Sequence, residues 1–349
     1  MLPPLGQLRW SPVVSAAHGG AGGPGLIDLS ASLNPLGPSP AALAAARGAD
    51  LERYPEADAQ SLTLAVARRF GIDPAMVVPV PGASWGLWLV LASMVTPGQR
   101  TLVVTPCFGE YERYLRIFRA QITRLRCSPE SNFEFPLRAL ELELGRAPAL
   151  VMLANPSNPQ GTTCDRRVLR ALVLAHPDST FVVDEAFAAF ASGETSLMDQ
   201  PLPPNLAVVR SLTKELGLAG LRMGFLVCPD RIARDLRATL PPWPISSPSL
   251  AAAIAGLEDN EHTRRGAALA RAQLREFGRL LQARGGRPFP SEVNFMLVQA
   301  AGLHQHLRAA GILTRDCASF GLEGWIRMAA APPVCVERVR SAIELWTAQ

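Results

Sequence analysis

Lysine is nearly absent from this chain: of its 34 lysine and arginine residues, only Lys214 is lysine. Arginine serves a surface or an ion pair at least as well, but it cannot shed its proton and attack a carbonyl carbon. A single residue is therefore left with that chemistry. Other absences exclude whole classes. No basic head followed by an apolar stretch opens the chain, so no signal peptide is expected. The longest apolar runs, such as Leu87 to Val95, are too short to span a bilayer, and no membrane partner is expected. The six cysteines form no C-x-x-C and no metal-ligand spacing, and they read as reduced thiols of a cytoplasmic protein with no bound metal. A net charge of +4 with scattered arginines and no aromatic-interleaved basic run argues against nucleic acid.

What is present is a globular enzyme-sized chain: 349 residues, 48% hydrophobic and 18% charged, enough for one large domain and a smaller one. Short apolar runs at Met76–Val80, Thr101–Thr105, Ile122–Leu125, Ala149–Leu153, Thr180–Val183, Leu206–Val209 and Gly224–Cys228 are mostly separated by amphipathic stretches, among them Ser61–Phe70, Ser84–Met94, Arg166–His176 and Pro229–Thr239. Continuous rather than alternating apolar strands predict an α/β fold with a mostly parallel seven-stranded sheet covered on both faces, its functional residues at the carboxyl ends of the strands. The expected organisation is an arm and starter helix over residues 1–50 packing with the small domain, a large domain over 51–245, a helical connection over 246–285, and a small α+β domain over 286–349.

Segments able to do chemistry follow consecutive predicted strands. Asn155 to Gly161 reads N-P-S-N-P-Q-G, Asp184 to Phe187 reads D-E-A-F, Ser211 to Lys214 reads S-L-T-K, and Leu221 to Phe225 reads L-R-M-G-F. Each has an ordinary local reading as a turn or helix cap. Together they suit pyridoxal phosphate. That cofactor needs an amine to form a Schiff base (Lys214), a carboxylate to hold its ring nitrogen protonated (Asp184) and a donor to its ring hydroxyl (Asn158). It also needs hydroxyls and a guanidinium around its phosphate, which Ser211, Thr213 and Arg222 supply. Gly82-Ala83-Ser84, where a strand meets a helix N-terminus, would complete the phosphate cup, and Phe108 is placed to stack on the ring.

The order G-A-S, P-x-F-x-E-Y, N-P-x-N-P-x-G, D-E-A-F, S-L-T-K and G-L-R-x-G-F resembles the fold-type I pyridoxal-phosphate enzymes of the aminotransferase superfamily. Within it the chain is most similar to the branch holding histidinol-phosphate aminotransferase and threonine-phosphate decarboxylase. Several segments resemble the decarboxylase, an enzyme of cobalamin biosynthesis: His18-Gly19-Gly20, Asp28 to Gly37, Arg53-Tyr54-Pro55, Phe187, Pro242-Trp243-Pro244, and Arg315-Asp316-Cys317 followed by Trp325-Ile326-Arg327. Gln160, Trp85, Ser32 and Ala331 depart from the usual pattern.

The resemblance implies that Arg327 binds a substrate carboxylate and Arg315 a substrate phosphate, with His18 and Asn34 assisting. It implies that Tyr54 reaches the cofactor phosphate of a neighbouring subunit, hence a homodimer. The expected substrate is a phosphorylated amino acid. The first expected reaction is decarboxylation of O-phospho-L-threonine to (R)-1-aminopropan-2-yl phosphate. The alternative is transamination of histidinol phosphate or another phosphorylated or aromatic amino acid.

Overall fold

The computed structural model describes residues 16–20, 22–146 and 150–347. The first fifteen residues of the expected arm, and Ala149 at the start of an expected strand, lie outside them.

All seven apolar runs form one sheet. Its order is Val77–Val80, Gly224–Val227, Leu206–Ser211, Thr180–Asp184, Leu150–Ala154, Arg100–Thr105 and Gln121–Arg126. The five inner strands carry almost only buried side chains, because helices cover both faces. The outermost strand, Gln121–Arg126, is exposed at three of six positions and bears Thr and Arg, as an edge strand tolerates. Arg166–Ala175 shows the covering pattern: Leu169, Leu172 and Val173 face the sheet while Arg166, Arg167 and Arg170 face outward.

One strand runs the other way. Gly224–Val227 is antiparallel to both neighbours, with Gly224 opposite Val80 and Ser211. The edge that collects the carboxyl ends of the parallel strands therefore collects the entry of this one, and Arg222 with it.

The small domain is a four-stranded antiparallel sheet in the order Arg315–Asp316, Trp325–Ala329, Phe295–Gln299, Arg287–Pro288. Arg315 and Arg327 are direct cross-strand partners, so their side chains leave the same face. The arm joins this domain through Ile27–Asp28, which pairs in parallel with Ile312–Leu313.

The starter helix does not join it. Pro40–Arg47, capped by Ser39 Oγ accepting from Ala42 N at 3.1 Å, packs on Ser247–Glu258, and Ala42 belongs to the large core. The helical connection expected over 246–285 is two helices, Ser247–Glu258 and Asn260–Ala283. Asp259 leaves helical geometry between them (φ −89°, ψ 57°) and its carboxylate accepts from His262 N. Among the described residues no helix is long and apolar enough to cross a membrane.

Candidate active site

A cavity of about 240 Å3 opens at the carboxyl edge of the large sheet, roofed by the arm and the small domain. It shares Ala17, Gly109, Arg315 and Phe320 with a wider outer cleft of about 840 Å3.

Lys214 enters it from the short helix Leu212–Glu215, which follows directly on the strand Leu206–Ser211. Burial, then the nearby Arg327 and Arg222, bring its amine down to about 8, against a smaller opposing pull from Asp184. The helix is too short to satisfy its own last carbonyls, and Asn34 serves them. Asn34 N donates to Lys214 O at 3.0 Å and Asn34 Nδ2 donates to Glu215 O at 3.0 Å, while Asn34 Oδ1 accepts from Leu36 N. This corrects the substrate role expected for Asn34. Its side chain is buried outside the cavity lining and spent on Glu215 O and Leu36 N, beside the backbone bond to Lys214.

Asp184 ends the neighbouring strand Thr180–Asp184. Its Oδ2 accepts from the Tyr111 hydroxyl at 2.6 Å and its Oδ1 from Ala186 N at 2.8 Å. Burial raises its pKa, opposed by those two hydrogen bonds and by Lys214 and Arg210. Burial and Asp184 push the Tyr111 hydroxyl well above its ordinary value, so it stays a donor. Tyr111 had no role in the sequence reading, although it closes the quoted P-x-F-x-E-Y segment. Phe108 and Tyr111 are three apart at the start of the helix Gly109–Ile117, which places both rings on one face, with centroids 5.8 Å apart.

Opposite the lysine is an anion cup. The helix Ala83–Met94 begins there without a side-chain cap, and Ala83 and Ser84 line the cavity. Ser211 Oγ and Thr213 Oγ1 lie 2.7 Å apart beside it. Arg222 adopts the left-handed conformation (φ 52°), and its guanidinium comes so close to Gly82 that a Cβ there would stand 2.8 Å from Nη2. Gly82 does not itself line the cavity but makes room for Arg222, and its φ of 95° suits glycine. Gly224 is as tightly placed: a Cβ there would lie 2.6 Å from Arg210 O and 2.9 Å from Ala83 N. An amine, a buried carboxylate and an uncapped helix end with hydroxyls and a guanidinium together fit pyridoxal phosphate. Gly82→Ala should therefore weaken cofactor retention about tenfold, from strain plus a displaced Arg222. Titrating cofactor-free protein with pyridoxal phosphate checks this, and an unchanged affinity contradicts it.

Asn158 Oδ1 accepts from Arg327 Nη1, and Arg327 Nη2 donates to Ser30 O at 2.7 Å. Arg327 is buried against the Phe295 ring, and burial lowers its pKa to about 10, which leaves it a cation at neutral pH. At the mouth, Arg315 Nη2 donates to Ala17 O (3.0 Å) and Ser319 Oγ (2.6 Å), while His18 Nε2 lies 2.8 Å from Glu110 Oε1. These contacts draw the arm across the cavity. Gln160, where the pattern usually has threonine, donates from Nε2 to Pro106 O at 2.9 Å and ties its loop to the one bearing Phe108. Tyr54 stands apart, 78% exposed and stacked on Trp243 at 4.4 Å.

The family model "Aminotransferase class I and II" matches residues 24–344. The chain is 30% identical to the histidinol-phosphate aminotransferase of Rhodospirillum centenum, over 99% of this chain and 98% of that one. Its fold is similar to that of histidinol-phosphate aminotransferase from Sinorhizobium meliloti in complex with pyridoxal-5'-phosphate, with 24% identity, 90% and 88% coverage and a TM-score of 0.79. It is also similar to the fold of L-threonine-O-3-phosphate decarboxylase from Porphyromonas gingivalis, with 23% identity, 84% and 93% coverage and a TM-score of 0.72. The chain belongs to the class I and II aminotransferases, pyridoxal-phosphate-dependent enzymes of fold type I.

Proposed function

We propose that the protein is an aminotransferase whose amino substrate carries a phosphate, of the histidinol phosphate kind, with a 2-oxo acid as amino acceptor. This reverses the order of the two sequence expectations, because the similar curated relatives are named histidinol-phosphate aminotransferases. The observation that carries the substrate class is the register pairing of Arg315 with Arg327, which sets two guanidiniums on one face above Lys214. Arg327, deep and buried, suits the α-carboxylate of the amino acid and 2-oxo acid pair, and Arg315, at the mouth, suits the phosphate of the amino substrate. The bound cofactor supplies an electron sink for the bonds at Cα. Asp184, oriented by Tyr111, would hold its ring nitrogen protonated. Lys214, with its amine near 8, can take and return the Cα proton near neutral pH.

Arg315→Ala is expected to raise KM for the phosphorylated substrate about 10- to 100-fold while leaving kcat nearly unchanged. A fall in kcat with constant KM would contradict the assignment.

A second reading, decarboxylation of O-phospho-L-threonine, draws support from His18. The residue of the H-G-G segment lies in the cavity wall beside Arg315, as that resemblance implies. The two reactions differ in whether the Cα–H or the Cα–carboxylate bond stands perpendicular to the ring. Purified holoenzyme given histidinol phosphate and 2-oxoglutarate should form glutamate. With O-phospho-L-threonine and no oxo acid it should release no CO2; release of CO2 instead establishes the decarboxylase.

The exposed Tyr54, outside its own cavity, supports a homodimer in which it reaches the partner's phosphate cup. Tyr54→Phe should then weaken cofactor binding without changing the mass measured by light scattering. The six free thiols support a cytoplasmic setting.

A further inference from the structure

A second cavity, of about 270 Å3, lies against the same turn that carries Lys214 and shares no lining residue with the first. Its walls come from four parts of the chain: the end of the helix Gln60–Phe70, the loop 189–192 that follows Asp184, the pair Arg210 and Glu215, and the helices Ser247–Glu258 and Asn260–Ala283.

Four guanidiniums line it, and two are spent. Arg210 is buried between Glu185 (3.3 Å) and Glu215 (3.7 Å), and Arg264 grips Glu261 with two hydrogen bonds. Arg69 and Arg271 have no carboxylate partner among the described residues: Arg69 donates to Asn260 Oδ1 and Arg271 to Phe190 O at 3.0 Å.

The opposite charge is satisfied on one side only, by Arg210 at Glu215 Oε2. Glu215 is 6% exposed, and its Oε1 is buried without any hydrogen bond, alone among carboxylate oxygens of the described residues. Burial raises its pKa, against Arg210 and Arg69. An orphaned buried carboxylate is costly. A bare anion in this cavity would add a second negative charge beside Glu215, whose one ion pair, to Arg210, is shared with Glu185. A bare amine or metal ion would face the arginines. A zwitterion satisfies both.

We infer that this cavity binds a free α-amino acid, its carboxylate held by Arg69 and Arg271 and its ammonium by the Glu215 carboxylate. The ligand would touch segments that also build the active site. Glu215 follows Lys214, the loop 189–192 follows Asp184, and Arg271 lies on the helix leading to the small domain. The inference does not depend on which substrate the enzyme takes.

The test uses holoenzyme whose active site is blocked by aminooxyacetate, with the excess removed, in equilibrium dialysis against each common L-α-amino acid. At least one should bind with one molecule per chain. Glu215→Gln and Arg271→Ala should each weaken that binding at least about tenfold, the scale of one lost charged contact. Acetate, inorganic phosphate and propylamine should not displace it at equal concentration. Should Arg271→Ala fail to fold, Arg69→Ala takes its place. No binding by any amino acid, binding unaltered in the variants, or equal binding of acetate or phosphate alone would overturn the inference.

Discussion

Lys214→Ala is expected to lower kcat by at least ~10^4-fold and to abolish the visible absorbance band of the bound cofactor, with the circular dichroism of the fold unchanged. The size follows from the composition: no second lysine exists to substitute, and every other cation is an arginine that keeps its proton. The pH dependence follows from the amine's surroundings. Lys214 sits near 8 rather than at its usual 10.5, so the reactive free amine of cofactor-free protein should accumulate through pH 8. The rate of capturing pyridoxal phosphate should rise through that pH and level off above it. Between about 8 and 10.5 the folded chain holds fewer protons at this site than the unfolded chain, so the site's contribution to stability rises with pH across that window. A capture rate still climbing past the usual lysine range would contradict the assignment.

Asp184→Asn is the second large effect. The amide keeps the shape and its oxygen can still accept from Ala186 N while its NH2 donates to the Tyr111 oxygen, but it removes the charge that would hold the cofactor's ring nitrogen protonated. Turnover should fall ~10^2- to 10^3-fold, the scale for losing one preorganised electrostatic partner, while the cofactor remains bound. Tyr111→Phe should do less, since it removes one of the two hydrogen bonds Asp184 accepts and leaves the carboxylate in place. Single-turnover rates separate the two variants. Equal losses would mean that Tyr111 acts on the substrate directly rather than by orienting Asp184.

Much of the fold was legible because buried parallel strands must be apolar throughout. That requirement wrote the four inner parallel runs plainly, and the strands Thr180–Asp184 and Leu206–Ser211 begin where expected. Less legible were features set by contacts distant in sequence. Asn34 sits in a segment whose resemblance implied substrate binding, yet its partners are the carbonyls of Lys214 and Glu215, 180 and 181 positions away. Pro40–Arg47 lies next to the arm in sequence and beside Ser247–Glu258 in space. The break at Asp259 is local and could have been read: an Asp-Asn pair interrupting a helical pattern is a cap signal.

The sequence alone determined the chemistry available: one amine, a carboxylate at the end of an apolar strand, a glycine before a helix, and motifs in the order of a pyridoxal-phosphate enzyme. These depend on residue type and local periodicity, which a linear chain displays directly. Only the tertiary structure decided how they meet. The antiparallel course of Gly224–Val227 brings Arg222 to the phosphate cup, cross-strand register sets Arg315 beside Arg327, and a helix start aims Tyr111 at Asp184. Strand direction, register and long-range hydrogen bonds are properties of pairs of segments, and no single stretch of sequence contains them.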